Sequence, residues 1–171
     1  MNARIEGKAS TVKNRTTVER KSDREVVVTR TINGPARIVF EAFTKAELFM
    51  RWWVPKSLGM TLLSCEIDGR VGGKYKLVFD HSPEPVAFFG TYVEVKPHSR
   101  LAWSNDEGGE GGSVTTVTFE EKAGKTLLVL CESYPSKEAL DAAGTGAADA
   151  MVETFDQLDE LLVALGESSG Q

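Results

Sequence analysis

The sequence is poor in the residues that hold metals or build disulfide frameworks, with two cysteines and two histidines among 171 residues. Cys65 and Cys131 lie far apart and in no paired motif. This excludes a disulfide framework and a cysteine-based zinc site, and predicts two buried, reduced thiols. His81 and His98 have no second histidine, cysteine or acid at ligand spacing, so no metal site is expected.

Motifs for nucleotide cofactors and for common catalytic mechanisms are also absent. The sequence contains no nucleophile elbow, phosphate-binding loop or dinucleotide fingerprint. The glycine- and acid-rich segment 105–112 is predicted to be a mobile loop, because no strand and helix flank it as they flank a phosphate cradle. No cofactor is therefore expected.

Long apolar runs are missing as well. No stretch approaches the ~20 apolar residues that span a bilayer, and the N-terminus lacks the apolar segment of a secretory signal. We therefore expect a cytoplasmic protein without a membrane-spanning segment. A length of 171 residues is typical of a single domain.

Charge is unevenly distributed along the chain. Residues 1–24 carry seven basic and three acidic side chains, a net +4, so the remainder carries −9 of the total of −5. An acidic body argues against nucleic acid as a partner, since phosphate binding needs a basic surface. We predict a flexible basic arm at residues 1–22, one domain at residues 23–166 and a short tail at residues 167–171.

Alternating and β-branched stretches predict about seven strands. The first ends at Ile32, where Asn33-Gly34-Pro35 stops the strand and starts two short helices that run to Pro55. Six further strands are predicted at residues 61–67, 74–79, 86–95, 100–104, 114–120 and 126–134. Tight turns between them imply antiparallel neighbours.

The last segment has the pattern of a long amphipathic helix. Apolar residues recur every three or four positions, at Met151, Phe155, Leu158, Leu162 and Leu165. The acids Glu153, Asp156, Asp159 and Glu160 are predicted on its other faces. The predicted fold class is therefore α+β, in which a curved antiparallel sheet wraps around the C-terminal helix and leaves an apolar cleft.

Four segments in register resemble the AHSA1-like (activator of Hsp90 ATPase homologue 1-like) branch of the START/Bet v 1-like (SRPBCC) superfamily. They are Thr29-Arg30-Thr31-Ile32 with Gly34-Pro35, Ala42-Phe43-Thr44 with Arg51-Trp52-Trp53-Val54-Pro55, the run from Cys65 to Tyr75 around Asp68-Gly69-Arg70, and the run from Gly90 to Pro97 with Arg100-Leu101. The resemblance covers residues 25–165. The resemblance implies a helix-grip fold with an apolar cleft. Similarity to the AHSA1-like family also implies a link to Hsp90-type chaperones and the stress response.

The last helix departs from this resemblance at Ala150-Met151, where the family usually has Gly-Trp. Because that helix borders the cleft, we expect the ligand or partner surface to differ from that of better-known relatives.

Eleven residues are candidates for ligand contact in the cleft, and core packing is the alternative for most of them. Adjacent residues on a helix point about 100° apart, so one tryptophan of Trp52-Trp53 should pack inward and the other should stay near the opening. The candidates are Trp52, Trp53, Phe79, Phe88, Tyr92, Trp103, Leu128, Leu130, Glu132, Met151 and Phe155.

Glu132 is the one acid among these candidates. It falls in phase with Leu128 and Leu130, which should face the helix, so its carboxylate is predicted to point into the cleft. Burial would raise its pKa and would let it orient or deprotonate a ligand. The alternative is a carboxylate in contact with water, because Glu132 lies near the end of its strand.

Three functions remain open at this point. The leading interpretation is binding of a small apolar or amphipathic molecule. The alternatives are a protein-interaction module that regulates an Hsp90-type chaperone and a cyclase- or hydrolase-like enzyme that uses the same cleft, although no catalytic residue is assigned.

The outer sheet face is predicted to carry an apolar patch. Leu127, Val129 and Cys131 alternate with the inward residues of the last strand. The resemblance to the START/Bet v 1-like superfamily implies that the first strand is its neighbour, which would place Val27 beside them. We expect this patch to be covered by a second subunit, in a homodimer, or by residues 1–22.

Overall fold

In the computed structural model, residues 15–106, 112–144 and 146–169 are described, and eight strands of this part of the chain form one antiparallel sheet. The strands are β1 (Thr17–Arg20), β2 (Glu25–Ile32), β3 (Leu62–Ile67), β4 (Lys74–Phe79), β5 (Val86–Lys96), β6 (Arg100–Ser104), β7 (Val114–Lys122) and β8 (Lys125–Ser133). Their order across the sheet is β1-β2-β8-β7-β6-β5-β4-β3. The helices are α1 (Ala36–Thr44), α2 (Ala46–Phe49), α3 (Lys137–Ala143) and α4 (Gly146–Ser169), with a 3-10 turn at Lys56–Leu58.

The predicted α+β class with a long C-terminal helix is confirmed, but the sheet has one strand more than the seven expected. Thr17–Arg20, assigned from sequence to the flexible arm, pairs with β2 in the register Thr17↔Thr29 to Arg20↔Val26. A four-residue edge strand with a single apolar side chain has too little alternation to stand out in a charged segment. Residues 1–14 of that arm lie outside the described residues, as do residues 107–111 of the predicted mobile loop.

Strand β2 alternates strictly between the two faces of the sheet. Val26, Val28 and Ile32 are buried on the concave face, and so is Arg30, a charged residue in phase with them. The chain then passes close under α4 at Gly34, where a Cβ would lie 2.6 Å from Cδ1 of Leu162. This contact places the start of α1 directly beside the C-terminal helix.

Helix α4 lies across the β1–β2 end of the sheet and buries the predicted stripe, since Met151, Phe155, Leu158 and Leu162 are all in the core. Two of its acids differ from the prediction. Asp156 and Asp159 face the sheet rather than solvent, because they pair with the buried guanidinium of Arg30 at 2.5 Å and 2.6 Å.

The other half of the sheet curves away at the long strand β5. A Cβ on Gly90 would lie 1.8 Å from the carbonyl oxygen of Ser104 and 2.6 Å from the Tyr75 ring, so no side chain fits there. The pairing of β5 with β6 also shifts register between Tyr92 and Glu94. Irregularities of this kind bend a strand and increase its twist. The bend brings β3 and β4 around the apolar interior.

The outer face brings the predicted patch residues together. Val27 pairs with Cys131 in the β2–β8 register, Leu127 is exposed, and Val129 is partly buried. Strand β1 extends the edge of the sheet beside this face. Coverage of the patch by a second subunit or by residues 1–22 stays a prediction.

Candidate ligand-binding cavity

A cavity of about 370 Å³ lies between the concave face of the sheet and the N-terminal half of α4. Its volume falls in the range of pockets that enclose small molecules, roughly 300–1,000 Å³. The sheet contributes Ile67, Tyr75, Leu77, Phe79, Phe88, Tyr92, Trp103, Thr115, Leu130 and Glu132. The helices and loops contribute Phe43, Phe49, Trp53, Val54, Pro55, Leu58, Met60, Asn105, Ala150, Met151 and Thr154.

Eight of the eleven candidates from the sequence line this cavity. They are Trp53, Phe79, Phe88, Tyr92, Trp103, Leu130, Glu132 and Met151. The strands bring them together because β4, β5, β6 and β8 each turn alternate residues to the concave face. Phe79 and Phe88 meet edge to face with ring centroids 5.6 Å apart.

The other three candidates, Trp52, Leu128 and Phe155, lie in the core behind the cavity wall and are fully buried. Trp52 packs inward, and its indole N–H donates to the carbonyl oxygen of Ala42 at 2.9 Å. Trp53 stays partly exposed and stacks on Phe49 with centroids 4.7 Å apart. The two adjacent tryptophans therefore divide between core and cavity, as expected. The helical reason given for this was wrong, because α2 ends at Phe49 rather than near Pro55 and both tryptophans lie in the turn that follows it.

The segment that carries Trp53, Val54 and Pro55 is held by one buried side chain of α4. Nε2 of Gln157 donates to the carbonyl oxygens of Trp52 and Val54 at 2.9 and 2.8 Å, and its Oε1 accepts from the N–H of Lys56 at 2.9 Å. Sequence reasoning did not identify Gln157. The available signal was a neutral amide next to the apolar stripe of α4.

A second contact from α4 holds the same segment on its exposed side. The Glu153 carboxylate accepts from the backbone N–H of Ser57 at 2.9 Å and from its hydroxyl at 2.5 Å. These hydrogen bonds lower the pKa of Glu153. Together with Gln157, this contact fixes one wall of the cavity to the helix.

One side of the cavity contains a small polar network. The Tyr75 hydroxyl lies 2.9 Å from Oδ1 of Asn105, whose Nδ2 donates to the hydroxyls of Ser113 and Thr115 at 2.9 and 3.1 Å. Tyr75 shares a face with Leu77 and Phe79, a pattern visible in the sequence. The sequence pattern did not predict the contact between Asn105 and Thr115, because it forms only where the end of β6 lies beside the start of β7.

Glu132 faces the cavity opposite Thr115 in the β7–β8 register, with Val26 on its other side. Among the described residues that line the cavity, it alone carries a formal charge. Loss of surrounding water raises the pKa of its carboxyl. No hydrogen bond or ion pair to this carboxyl occurs within the described part of the chain.

Two further ionisable groups near the cavity are held neutral. Burial raises the pKa of the Tyr92 hydroxyl, and the nearby Cys65 and Asp68 raise it further. Burial also raises the pKa of the Cys65 thiol to about 11, with a smaller contribution from the charge of Glu66. Cys65 and Cys131 are free, as expected, but they are partly rather than fully buried, because β3 is an edge strand and Cys131 faces outward.

The mouth of the cavity has an apolar rim, formed by Leu58, Met60 and Phe88. These residues line the cavity and are also 57%, 39% and 39% exposed. Exposed apolar residues grouped around an opening are typical of binding sites. Within residues 15–106, 112–144 and 146–169, no helix is long and apolar enough to cross a membrane.

Two carboxylate–guanidinium pairs lie at the surface of the sheet. Arg70 lies 3.0 Å from Asp68, and Arg100 lies 2.6 Å from Glu94, whose pKa is lowered by that hydrogen bond. None of these four residues lines the cavity.

The chain matches the family described as activator of Hsp90 ATPase homolog 1-like protein over residues 33–163. This match covers well over half of the sequence, and the protein therefore belongs to the AHSA1-like family. No curated protein matches the sequence.

Several solved structures have the same fold. A Rhodobacter sphaeroides protein is 22% identical with a TM-score of 0.77, and the match covers 88% of this chain and 99% of that one. A Mycobacterium smegmatis protein is also 22% identical, with a TM-score of 0.73 and coverage of 88% and 99%. An AHSA1-like protein from Aeromonas hydrophila is 18% identical, with a TM-score of 0.58 and coverage of 79% and 94%. At these identities the similarity shows the fold.

Proposed function

We propose that this protein binds a small apolar or amphipathic molecule in the cavity between the sheet and α4. The observation that carries the proposal is the cavity itself, about 370 Å³ and lined mainly by aromatic and aliphatic side chains. Protein interiors are normally close-packed, so an apolar space of this size inside a single domain favours a guest molecule. The wall that contains Trp53 is fixed to α4 by Gln157, which supports a preformed site.

The proposal is tested by titrating the protein with N-phenyl-1-naphthylamine, a neutral apolar probe whose emission rises on leaving water. Trp53 and Trp103 line the cavity, so tryptophan emission should fall as the probe binds. The informative variant is Met151→Trp, because a larger side chain at this lining position fills the space. Val152→Trp is the matched control, since Val152 is 41% exposed on the same helix.

We expect Met151→Trp to weaken probe binding at least about tenfold, while Val152→Trp leaves it unchanged. Equal binding by both variants would place the probe elsewhere, and absence of binding to the unmodified protein would contradict the proposal. Native mass spectrometry of freshly purified protein would show whether a small molecule accompanies it.

The apolar rim supports a second candidate, regulation of an Hsp90-type chaperone through Leu58 and Met60. It predicts that the protein changes the ATPase rate of a purified chaperone of this type, and that Leu58→Ser abolishes the change. The enzyme alternative rests on Glu132 alone, because the polar groups of Tyr75, Asn105 and Thr115 already bond to one another.

A further inference from the structure

Glu132 is placed where it can contact a bound molecule directly. It follows Leu128 and Leu130 on the concave face of β8, and Leu130 and Glu132 line the cavity side by side. The remaining lining is neutral throughout the described residues. A carboxyl group thus lies on a wall that is otherwise apolar or only weakly polar.

The neighbouring polar groups do not provide a partner for this carboxyl. The Thr115 hydroxyl across the strand pair accepts from Asn105 and forms no hydrogen bond to Glu132 within the described residues, and Asn105 itself bonds to Tyr75 and Ser113. Thr154, on the helix side, donates to the carbonyl oxygen of Ala150 at 3.1 Å. Among the described residues, no lysine or arginine lines the cavity.

A carboxylate without a protein partner on a mainly apolar wall is unfavourable, because the hydration that it loses there is not replaced by hydrogen bonds. A cationic group on a guest would supply both the missing charge and the missing hydrogen-bond donors. A neutral hydroxyl would supply a donor alone, and a carboxylate on the guest would be repelled. The raised pKa of Glu132 is consistent with a group that gains from such a partner.

We infer that the cavity selects apolar molecules that bear a single cationic amine, and that Glu132 holds the amine. This inference rests on the proposed function, since it names the chemical class of the molecule that occupies the same cavity.

The test uses three amphiphiles with the same ten-carbon chain, each below its micelle concentration: decylamine, decanol and decanoate. Each displaces N-phenyl-1-naphthylamine from the unmodified protein, from Glu132→Gln and from Glu120→Gln, at pH 7.5. Glu120→Gln changes the net charge equally but alters an exposed side chain of β7. Thermal unfolding of each variant shows that it is folded.

We expect decylamine to bind the unmodified protein at least about tenfold more tightly than decanol, which corresponds to 1.4 kcal/mol, and decanoate to bind most weakly. Glu132→Gln should remove the preference for the amine over the alcohol, while Glu120→Gln keeps the preference. Equal binding of amine and alcohol, or a preference that survives Glu132→Gln, would overturn the inference and leave the proposed function standing. Failure of the probe and of all three amphiphiles to bind would overturn both.

Discussion

Arg30 of β2 and Asp159 of α4 are joined by a contact of 2.6 Å between Nη2 and Oδ2, with the arginine side chain 1% exposed. Asp156, one helical turn earlier, binds Nη1 of the same guanidinium, and the Thr16 hydroxyl accepts from it at 3.0 Å. Asp159 also accepts from the N–H of Asn33 at 2.9 Å. These contacts attach the helix to the sheet beyond the cavity, on the side away from Glu132.

Removing both carboxylates should destabilise the fold strongly. We expect Asp156→Asn combined with Asp159→Asn to lower the free energy of unfolding by about 3–5 kcal/mol, because it leaves a buried cation without a counter-charge. Adding Arg30→Met should recover most of this loss, since an apolar side chain of similar length needs no partner. Urea denaturation measures both effects. The exposed Glu160→Gln is the control, with a change within about 0.5 kcal/mol, and a loss below about 1 kcal/mol for the pair would contradict the prediction.

The contrast between Arg30 and the α4 stripe shows what local pattern could predict. Met151, Phe155 and Leu158 recur at helical spacing, so their shared face was readable from the sequence. Arg30 was also in phase with Val26 and Val28, but its partners lie 126 and 129 positions away. The counter-charges of a buried arginine come from the element that packs against it. The alternation pattern of β2 alone does not show that α4 supplies them.

Gln157 should matter for both stability and binding. Gln157→Leu leaves the carbonyl oxygens of Trp52 and Val54 and the N–H of Lys56 without partners, so we expect a loss of about 1–3 kcal/mol in chemical denaturation. Affinity for the apolar probe should fall as well, because the wall that contains Trp53 is no longer fixed. Glu160→Leu, on the exposed side of the same helix, serves as the control. If Gln157→Leu is destabilised but binds the probe with unchanged affinity, the hydrogen bonds of Gln157 are not needed to hold the cavity wall in its binding position.

Phe155 tests the packing of α4 directly. The ring is fully buried next to Trp52, with centroids 6.2 Å apart. Phe155→Ala should therefore lower the free energy of unfolding by about 3–5 kcal/mol, which includes the cost of the void that it leaves. Val163→Ala, at a position 55% exposed on the same helix, should cost less than about 1 kcal/mol. Similar losses for the two variants would argue against this placement of the helix.

The composition of the cavity was predictable only in part. The concave phase of Leu128, Leu130 and Glu132 followed from simple alternation and is confirmed. Their depth did not follow, since Leu128 lies in the core whereas Leu130 reaches the cavity. Depth along a strand depends on what covers each position: Leu128 lies beside Arg30, which α4 contacts through Asp159, whereas Leu130 lies beside the cavity. The network of Tyr75, Asn105 and Thr115 likewise arises where three strands meet, so no single segment encodes it.

Glu132 should reduce stability in a pH-dependent way. Its folded pKa lies above that of an unfolded glutamate, roughly 4.3, so the folded state retains the proton over the interval between the two values. Stability is then highest at the acidic end and falls as the pH rises through the folded pKa. We expect Glu132→Gln to have the same free energy of unfolding as the unmodified protein near pH 4 and a higher one at pH 7.5, measured by urea denaturation at several pH values.

Two comparisons separate this effect from others. The titratable neighbours Tyr134 and Cys131 have raised pKa values and stay neutral over this range. Glu120→Gln should differ from the unmodified protein by the same amount at every pH. For Glu132→Gln, a constant difference at every pH, or a variant less stable at pH 7.5, would mean that the carboxyl has a partner in solution and is not the unpaired group that the cavity contains.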